Sequence, residues 1–388
     1  MKHKIFIAGA GGIGEAAAIL LREWSEFETE IFLGDVNEAN LRKAKDFVCA
    51  NSKKTSNVET ILMAANIDAP SDEMKGAFEA CDILLDCSPG AQAPRMARFA
   101  KDFKLHYANL TEYVAETDEI IALCKDAETG FILQTGLAPG LVNVLAMSLY
   151  EKFVAQFENE TVEKIEMKVG ALTAHAHRPH FYGFTWSPIG VATEYVKPAR
   201  VLRDFEIRQV PALSDRETIV IGGRTFEADL TSGGAANLPD FFRHKAKSLD
   251  YKTVRHVGHY AWVESVIEKL AVEENMFNKA EHDELPAKLL AEFLVEIPAV
   301  EDDFVLVHVS VDGFDARGTR RMIEKAFFVE PLEIDGKRLR AIQTTTAAPL
   351  CEAAAMLLTN DYKGVILQSQ IEPQKFLSGN FVSRIYKD

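Results

Sequence analysis

Through Gln134 the chain alternates apolar runs of strand length with longer segments whose apolar residues recur at helical spacing. The pattern predicts strands at Lys4 to Ala8, Glu30 to Gly34, Val58 to Met63, Ile83 to Asp86, Leu105 to Asn109 and Phe131 to Gln134. Between them it predicts helices over Glu15 to Trp24, Asn37 to Ser52, Asp72 to Ala80, Ala91 to Asp102 and Val114 to Glu128. Strands and helices alternating at this spacing imply a parallel sheet covered on both faces, an α/β fold of the doubly wound, Rossmann type. Ligands of such a sheet bind above the carboxyl ends of its strands.

From about Val162 the texture changes to alternating strands with fewer helices: Glu163 to Val169, Thr218 to Ile221, Thr225 to Ala228, Phe304 to Val311 and Arg321 to Val329. This predicts a second, α+β domain on a mostly antiparallel sheet. The apolar helical segment Thr346 to Leu358, with Thr residues before it and Asn360-Asp361 after it, is expected to return to the first domain. The organisation is therefore expected to be 1–140, 141–345 and 346–388, with a helix rather than a tether near residues 135 to 160. A length of 388 residues, 47% of them hydrophobic, is enough for two cores. The net charge of -15 and the lack of a strongly basic run exclude nucleic acid as a natural partner and favour small-molecule chemistry. Cys49, Cys81, Cys87, Cys124 and Cys351 are odd in number and form no CxxC pair, which suggests reduced thiols in a cytoplasmic protein. The first strand leaves no apolar leader, and no run reaches transmembrane length, so no membrane association is expected.

The first strand runs into Gly9-Ala10-Gly11-Gly12-Ile13-Gly14 and then a helix. In this setting Gly9 permits the tight turn, Gly11 lets backbone approach a pyrophosphate, and Gly14 allows helix and strand to pack closely. Helix-start N–H groups of Gly12 and Ile13 would face phosphates. The second strand ends in Asp35, whose carboxylate suits both ribose hydroxyls and repels a 2′-phosphate, so the expected cofactor is NAD rather than NADP. A glycine loop without a ligand is the plain alternative. Topology would put Ser88-Pro89-Gly90, Asn109-Leu110-Thr111-Glu112 and Gly136-Leu137-Ala138-Pro139-Gly140 around the nicotinamide, with Ser88, Pro89 and Gly136 as backbone contacts.

Several stretches resemble one family. Gly136 to Ala146 looks like the GxDPG segment of glutamate-forming saccharopine dehydrogenases. Phe184-Thr185-Trp186-Ser187-Pro188-Ile189-Gly190-Val191, followed by Lys197-Pro198-Ala199-Arg200, resembles their SWSPxG…NPA segment. Thr253-Val254-Arg255-His256-Val257-Gly258-His259 resembles their TLRxPGH motif, and Lys363 to Leu367 has a counterpart near the C-terminus. The family also contains lysine 6-dehydrogenase. Ala138 stands where the saccharopine enzymes carry Asp, Val169 where they carry Cys, and Glu112 where a Tyr is expected. Ala138, an apolar residue at the Cys position and a loop like Ser232-Gly233-Gly234 draw the resemblance toward lysine 6-dehydrogenase. The resemblance implies a homodimer that oxidises a CH–NH bond of a lysine-derived amino acid with NAD.

Such a reaction needs a base for the amine proton and cations for substrate carboxylates, since the cofactor carries the hydride chemistry. Glu112 is the candidate base; capping the following helix, or plain exposure, is its alternative. Arg255, which the family motif uses as a carboxylate grip, is the first candidate for that task, ahead of Arg178, Arg200 and Arg203; a structural ion pair is the alternative. His175, His177 and His180 form the densest histidine cluster, but no Cys or acid stands beside them at metal spacing. No metal is expected, and His177 is taken instead as a proton shuttle or substrate contact, with a surface loop as the alternative. His259 would hold substrate or a helix start. Tyr182 and Trp186 would wall the pocket unless they belong to the core. Nothing near Cys87 lowers its pKa, so it is read as buried bulk. A non-catalytic nucleotide-binding protein would also carry such departures.

Overall fold

The computed structural model describes residues 2–50, 57–64, 68–273 and 284–387. The chain divides into two compact units. The first comprises Met1–Leu145, Leu332–Leu339 and Gln343–Asp388, and the second Ala146–Pro331 with Arg340–Ile342.

The first unit is built on strands β1 (Lys2–Ala8), β2 (Glu28–Asp35), β3 (Val58–Leu62), β4 (Ile83–Asp86), β5 (His106–Asn109) and β6 (Gly130–Ile132). Helices α1 (Gly12–Trp24), α2 (Glu38–Cys49), α3 (Asp72–Ala80), α4 (Ala93–Asp102) and α5 (Val114–Cys124) connect them, and α6 (Leu141–Phe157) leads out. Every ladder in the sheet is parallel, so the loops that leave the strands share one edge. The order runs β3-β2-β1-β4-β5-β6, with a late strand, Gly364–Ile366, completing the edge beside β6. The order reverses between β1 and β4, which places a ligand crevice there. Phe6, Phe78, Phe99, Tyr107 and Phe131 fill the core on one face, and burial of each large side chain contributes about 1.5–3 kcal/mol.

Three of the boundaries that differ from expectation do so in identifiable local settings. Asn37 is the cap of α2 rather than its first helical residue, because its side chain accepts from the amides of Ala39 and Asn40; the expected end at Ser52 lies outside the described residues. Gly90–Gln92 forms a separate short 3-10 turn before α4. The strand expected to reach Gln134 stops at Ile132, and Gln134 adopts a φ of 57°.

The second unit contains β7 (Val162–Thr173), α7 (Pro188–Glu194), β8 (Ala199–Arg203), β9 (Glu206–Val210), β10 (Glu217–Ile221), β11 (Arg224–Leu230), α8 (Leu238–Phe242), β12 (Ala246–Arg255), α9 (His259–Glu273), α10 (Leu285–Glu296), β13 (Asp303–Phe314) and β14 (Arg320–Val329). The sheet order is β10-β11-β12-β7-β13-β14, with the β8–β9 hairpin on β12. All its ladders are antiparallel except β12 with β7. The centre of this sheet carries charge on one face. Lys168 Nζ lies 2.8 Å from Glu166, and Lys252 Nζ lies 3.0 Å from Glu217. Pairing lets these lysines stay buried. A long helix, α11 (Ala341–Thr359), starts earlier than Thr346 because Asp303 accepts both the Ala341 and Ile342 amides at 2.8 Å.

Candidate functional site

The glycine loop after β1 is shaped by close backbone approaches. Gly9 has a φ of 99°, and a Cβ there would lie 2.6 Å from the Cys87 carbonyl oxygen at the end of the neighbouring strand. A Cβ on Gly14 would overlap the Gly9 carbonyl oxygen, so helix and turn can close only on glycine. Gly11 is different: a Cβ there would meet no atom within 4 Å. The space above Gly11 is open at the start of α1, where the amides of Gly12 and Ile13 have no intrahelical acceptor. That is an anion cradle of the kind a dinucleotide pyrophosphate fits. Asp35 ends β2 beside it, with Oδ2 accepting the Ala10 amide at 2.9 Å and Oδ1 the Asn37 amide at 2.8 Å. Each oxygen keeps a second lone pair for a ribose hydroxyl.

Three further loops rise from the same edge. Ser88 is held from below by Asp86, whose Oδ1 accepts the Ser88 amide at 3.0 Å and its hydroxyl at 2.5 Å. The other Asp86 oxygen accepts the Tyr107 hydroxyl at 2.8 Å. Burial raises the Asp86 carboxyl above the usual range despite those donors. Pro89 leads into the short turn at Gly90, where a Cβ would lie 2.6 Å from Thr111 Oγ1 and 2.9 Å from the Tyr113 ring. The Ser88 loop and the loop bearing Glu112 are therefore seated against each other. Glu112 does not cap α5: the cap position is Tyr113, and no side chain caps it. Burial pushes the Glu112 carboxyl upward, and Glu116 adds to the rise. Gly136 is buried, with the Leu110 side chain 3.4 Å from where its Cβ would stand. On the helix side of this unit, Gln343 Nε2 donates to the Gly12 carbonyl at 2.9 Å.

The second unit brings other expected residues together, in a different role from the one expected. Arg255 is 1% exposed. Its Nη2 donates to Glu194 at 2.7 Å, its Nε to the Tyr195 hydroxyl at 2.6 Å and its Nη1 to the Val254 carbonyl at 3.0 Å. The guanidinium also lies 4.8 Å from the Tyr182 ring centre. The structural ion pair, not an open carboxylate grip, is the arrangement present. His259 is buried, with Nδ1 2.6 Å from the His180 carbonyl and Nε2 2.9 Å from the Tyr195 hydroxyl. The carbonyl requires a proton on Nδ1, so Nε2 accepts from Tyr195. Burial and then the Arg255 charge hold His259 well below the ordinary imidazole range. His259 thus contacts protein on both nitrogens, and it also begins α9, the second of its two expected roles.

Tyr182 is buried in the apolar cluster with Phe184 and Phe293, so it is core. Trp186 is half-buried and packed against the same cluster, over Gly190. β7 ends at Thr173, so His175 and His177 do not share a strand face but lie with Arg178 on an exposed loop. Arg200 is bidentate to Asp240 at 2.5 and 2.7 Å, and Arg203 lies 3.0 Å from Asp250. Burial raises Cys87 rather than activating it. Sequence reasoning missed Glu194 and Tyr195, the partners of Arg255, although both fall between the two halves of the SWSPxG…NPA-like segment. Asp86, Tyr107 and Gln343 were missed too; a polar residue closing an otherwise apolar strand was the only signal for Asp86.

Among the described residues no helix is long and apolar enough to cross a membrane. Residues 5–133 match the family model described as the saccharopine dehydrogenase NADP binding domain, and residues 136–380 match that of the saccharopine dehydrogenase C-terminal domain. The mitochondrial alpha-aminoadipic semialdehyde synthase of Rattus norvegicus is 25% identical over 212 residues, 54% of this chain and 21% of that protein. Its Bos taurus counterpart is 24% identical over 209 residues, 53% of this chain and 21% of the relative. The chain therefore spans about a fifth of the length of these curated relatives. The apo saccharopine dehydrogenase (L-Glu forming) of Saccharomyces cerevisiae superposes with a TM-score of 0.72 at 13% identity, over 99% of this chain and 98% of that one. The homospermidine synthase of Legionella pneumophila, solved in complex with NAD, gives a TM-score of 0.64 at 11% identity, covering 100% and 91%. With both halves matched in order, the chain belongs to the saccharopine dehydrogenase family, oxidoreductases with an NAD(P)-binding domain.

Proposed function

We propose that the protein is an NAD-dependent oxidoreductase acting on a CH–NH bond of a lysine-derived amino acid. The observation that carries this reading is an open phosphate cradle at Gly11, flanked by Asp35, on the same sheet edge as the half-buried Glu112, whose carboxyl is raised by desolvation. Gly9 to Gly14 would hold the pyrophosphate, Asp35 the adenosine ribose, and Ser88, Pro89 and Gly136 the nicotinamide half. Asp35 is the reason for preferring NAD, because a 2′-phosphate would meet its charge. A bound nicotinamide supplies the hydride acceptor. The chain's own part is to orient the substrate carbon, exclude water and accept the amine proton on Glu112, a task suited to a carboxylate whose affinity for protons is raised by burial. His177 and Arg178, exposed on their loop, are the remaining side chains proposed to meet substrate.

A second reading, ε-deamination of free lysine, is favoured by one observation. Arg200, Arg203 and Arg255 are all committed to internal acids, and a substrate with two amino-acid ends needs more than one carboxylate grip. The rival of another class is a nucleotide-binding protein without turnover. Homodimerisation and a cytoplasmic location complete the proposal; the first follows from the family resemblance and the second from five free cysteines.

NADH formation by purified protein with saccharopine, lysine and a panel of ω-amines tests the reading. Turnover of saccharopine supports the first reading, and turnover of lysine alone supports the second. Tight NADH binding with no turnover of any amine at alkaline pH would refute both.

A further inference from the structure

The stretch Arg255 to His259 was expected to touch substrate, yet its side chains reach instead for one loop of its own unit. His256 Nε2 lies 3.0 Å from the Thr173 carbonyl, where β7 ends. His259 Nδ1 lies 2.6 Å from the His180 carbonyl, seven residues further on. Both acceptors are carbonyls, so both imidazole nitrogens donate. Between these anchors, Gly258 has a φ of 99°, and a Cβ on it would come 2.9 Å from the Phe181 ring. The stretch thus grips the loop at its start and its end and leaves a notch for its aromatic residue. His256 is itself fixed between the rings of Phe226 and Phe304, at 6.0 and 6.1 Å between centroids. His259 is fixed through Tyr195 and the Arg255–Glu194 pair.

The gripped loop is also folded on itself. The Phe181 amide donates to the His177 carbonyl at 2.8 Å, and the Tyr182 amide to His180 Nδ1 at 3.1 Å. At the other end the Ala174 amide donates to the Asp302 carbonyl at 3.0 Å. His175, His177 and Arg178 are left pointing outward on this folded tip, exposed.

We infer that His256, Gly258 and His259 are positioning residues, a seat that fixes the loop 174–181 so that His177 and Arg178 are presented to substrate. The seat stands on geometry within the second unit; the presentation of substrate contacts rests on the function proposed above. An exposed loop of eight residues would otherwise sample many conformations, and substrate would have to order it at each binding event. Preorganising the loop removes that cost from the binding step.

Three variants test this in the full chain. His256→Phe keeps an aromatic ring between Phe226 and Phe304 but removes the donor, whereas His256→Gln restores one. Gly258→Ala, independently, introduces a Cβ at a positive φ against the Phe181 ring. Hydrogen exchange at the Ala174, Phe181 and Tyr182 amides is expected to quicken about tenfold in His256→Phe and in Gly258→Ala, the size of one lost hydrogen bond. His256→Gln should return it close to the parent value. In the same variants KM for the amine substrate should rise by a similar factor, with kcat and the KM for NAD little changed. Unchanged exchange overturns the seat. Faster exchange with an unchanged amine KM overturns the presentation of substrate contacts. If the parent protein turns over no amine, the proposed function fails while the seat is still decided by exchange alone.

Discussion

Replacing Arg255 with methionine separates its two possible roles, because the roles predict opposite signatures. Arg255 is fully enclosed and its partner Glu194 has only 12% of its side chain exposed, so truncating the cation takes the opposite charge away from a largely buried carboxylate and one donor away from the Tyr195 hydroxyl, which keeps its bond to His259. Breaking a buried pair by removing one partner costs about 3–5 kcal/mol. Loss of the cation–π contacts with Tyr182 and Tyr195 adds roughly 1 kcal/mol more. For a unit of this size each kcal/mol lowers Tm by about 2–4 °C, so the transition that unfolds the second unit should fall by about 6 °C or more. Scanning calorimetry gives that shift, and the double variant Arg255→Met with Glu194→Leu should recover a large part of it by removing the stranded charge. NADH affinity should be unchanged. A Tm within about 1 °C of the parent, together with a strongly raised amine KM, would refute this reasoning and return Arg255 to the carboxylate-gripping role.

The other predictions concern the first unit. Gly14→Ala, which would place a Cβ on the Gly9 carbonyl oxygen, should weaken NADH binding in a calorimetric titration by at least about tenfold, or ~1.4 kcal/mol; an unchanged Kd would show that phosphate does not bind at this turn. Asp35→Ser combined with Val36→Arg should shift cofactor preference toward NADPH, since Val36 is 55% exposed and leaves room for a guanidinium. An unchanged NADH to NADPH affinity ratio would refute the ribose role of Asp35. For Glu112, the folded pKa is raised, so the basic form accumulates only above the ordinary glutamate range and kcat/KM should climb with pH through that raised value. Glu112→Gln should remove this limb and depress kcat at every pH. The sign for stability is opposite: the protonated form is favoured by folding, so the contribution of Glu112 is present at low pH and lost as pH rises through its folded pKa. The E112Q protein should therefore be no less stable than the parent at pH 7, and a large loss of Tm there would mark Glu112 as structural.

The first unit was legible because its determinants are local. A parallel sheet requires a crossover after every strand, so strand, turn and helix succeed one another in the sequence as they do in space. Gly9, Gly14 and Asp35 could be read from spacing alone. The second unit was less legible for a definite reason. Its two central strands, β7 and β12, carry Lys164, Glu166, Lys168, Asp250 and Lys252 on one face; β7 was expected only as Glu163 to Val169, and in β12, which was not expected, charge at Asp250 and Lys252 disguises a buried strand. Only the pairing, Lys168 with Glu166 and Lys252 with Glu217, makes the burial tolerable, and no local pattern announces it. The start of α11 was hidden in the same way. Asp303 caps it from 38 residues upstream, so the Thr344-Thr345 pair that looked like a preface lies inside the helix.

Chemical function is harder to read than fold where a motif's partners are remote. The Arg255 to His259 stretch was recognisable as a unit, but its partners are Thr173 and His180, 83 and 79 residues away, and Glu194, 61 away. An arginine in isolation invites a carboxylate from outside. An arginine with Glu194 at 2.7 Å already has one from inside. The charge pattern of a recognisable motif therefore fixes neither which atoms face a ligand nor which hold the scaffold. By the same logic the residues most open to a substrate are those the motif supports rather than those it contains. In the second unit the proposed substrate contacts, His177 and Arg178, lie on such a loop, gripped at both ends and exposed between them.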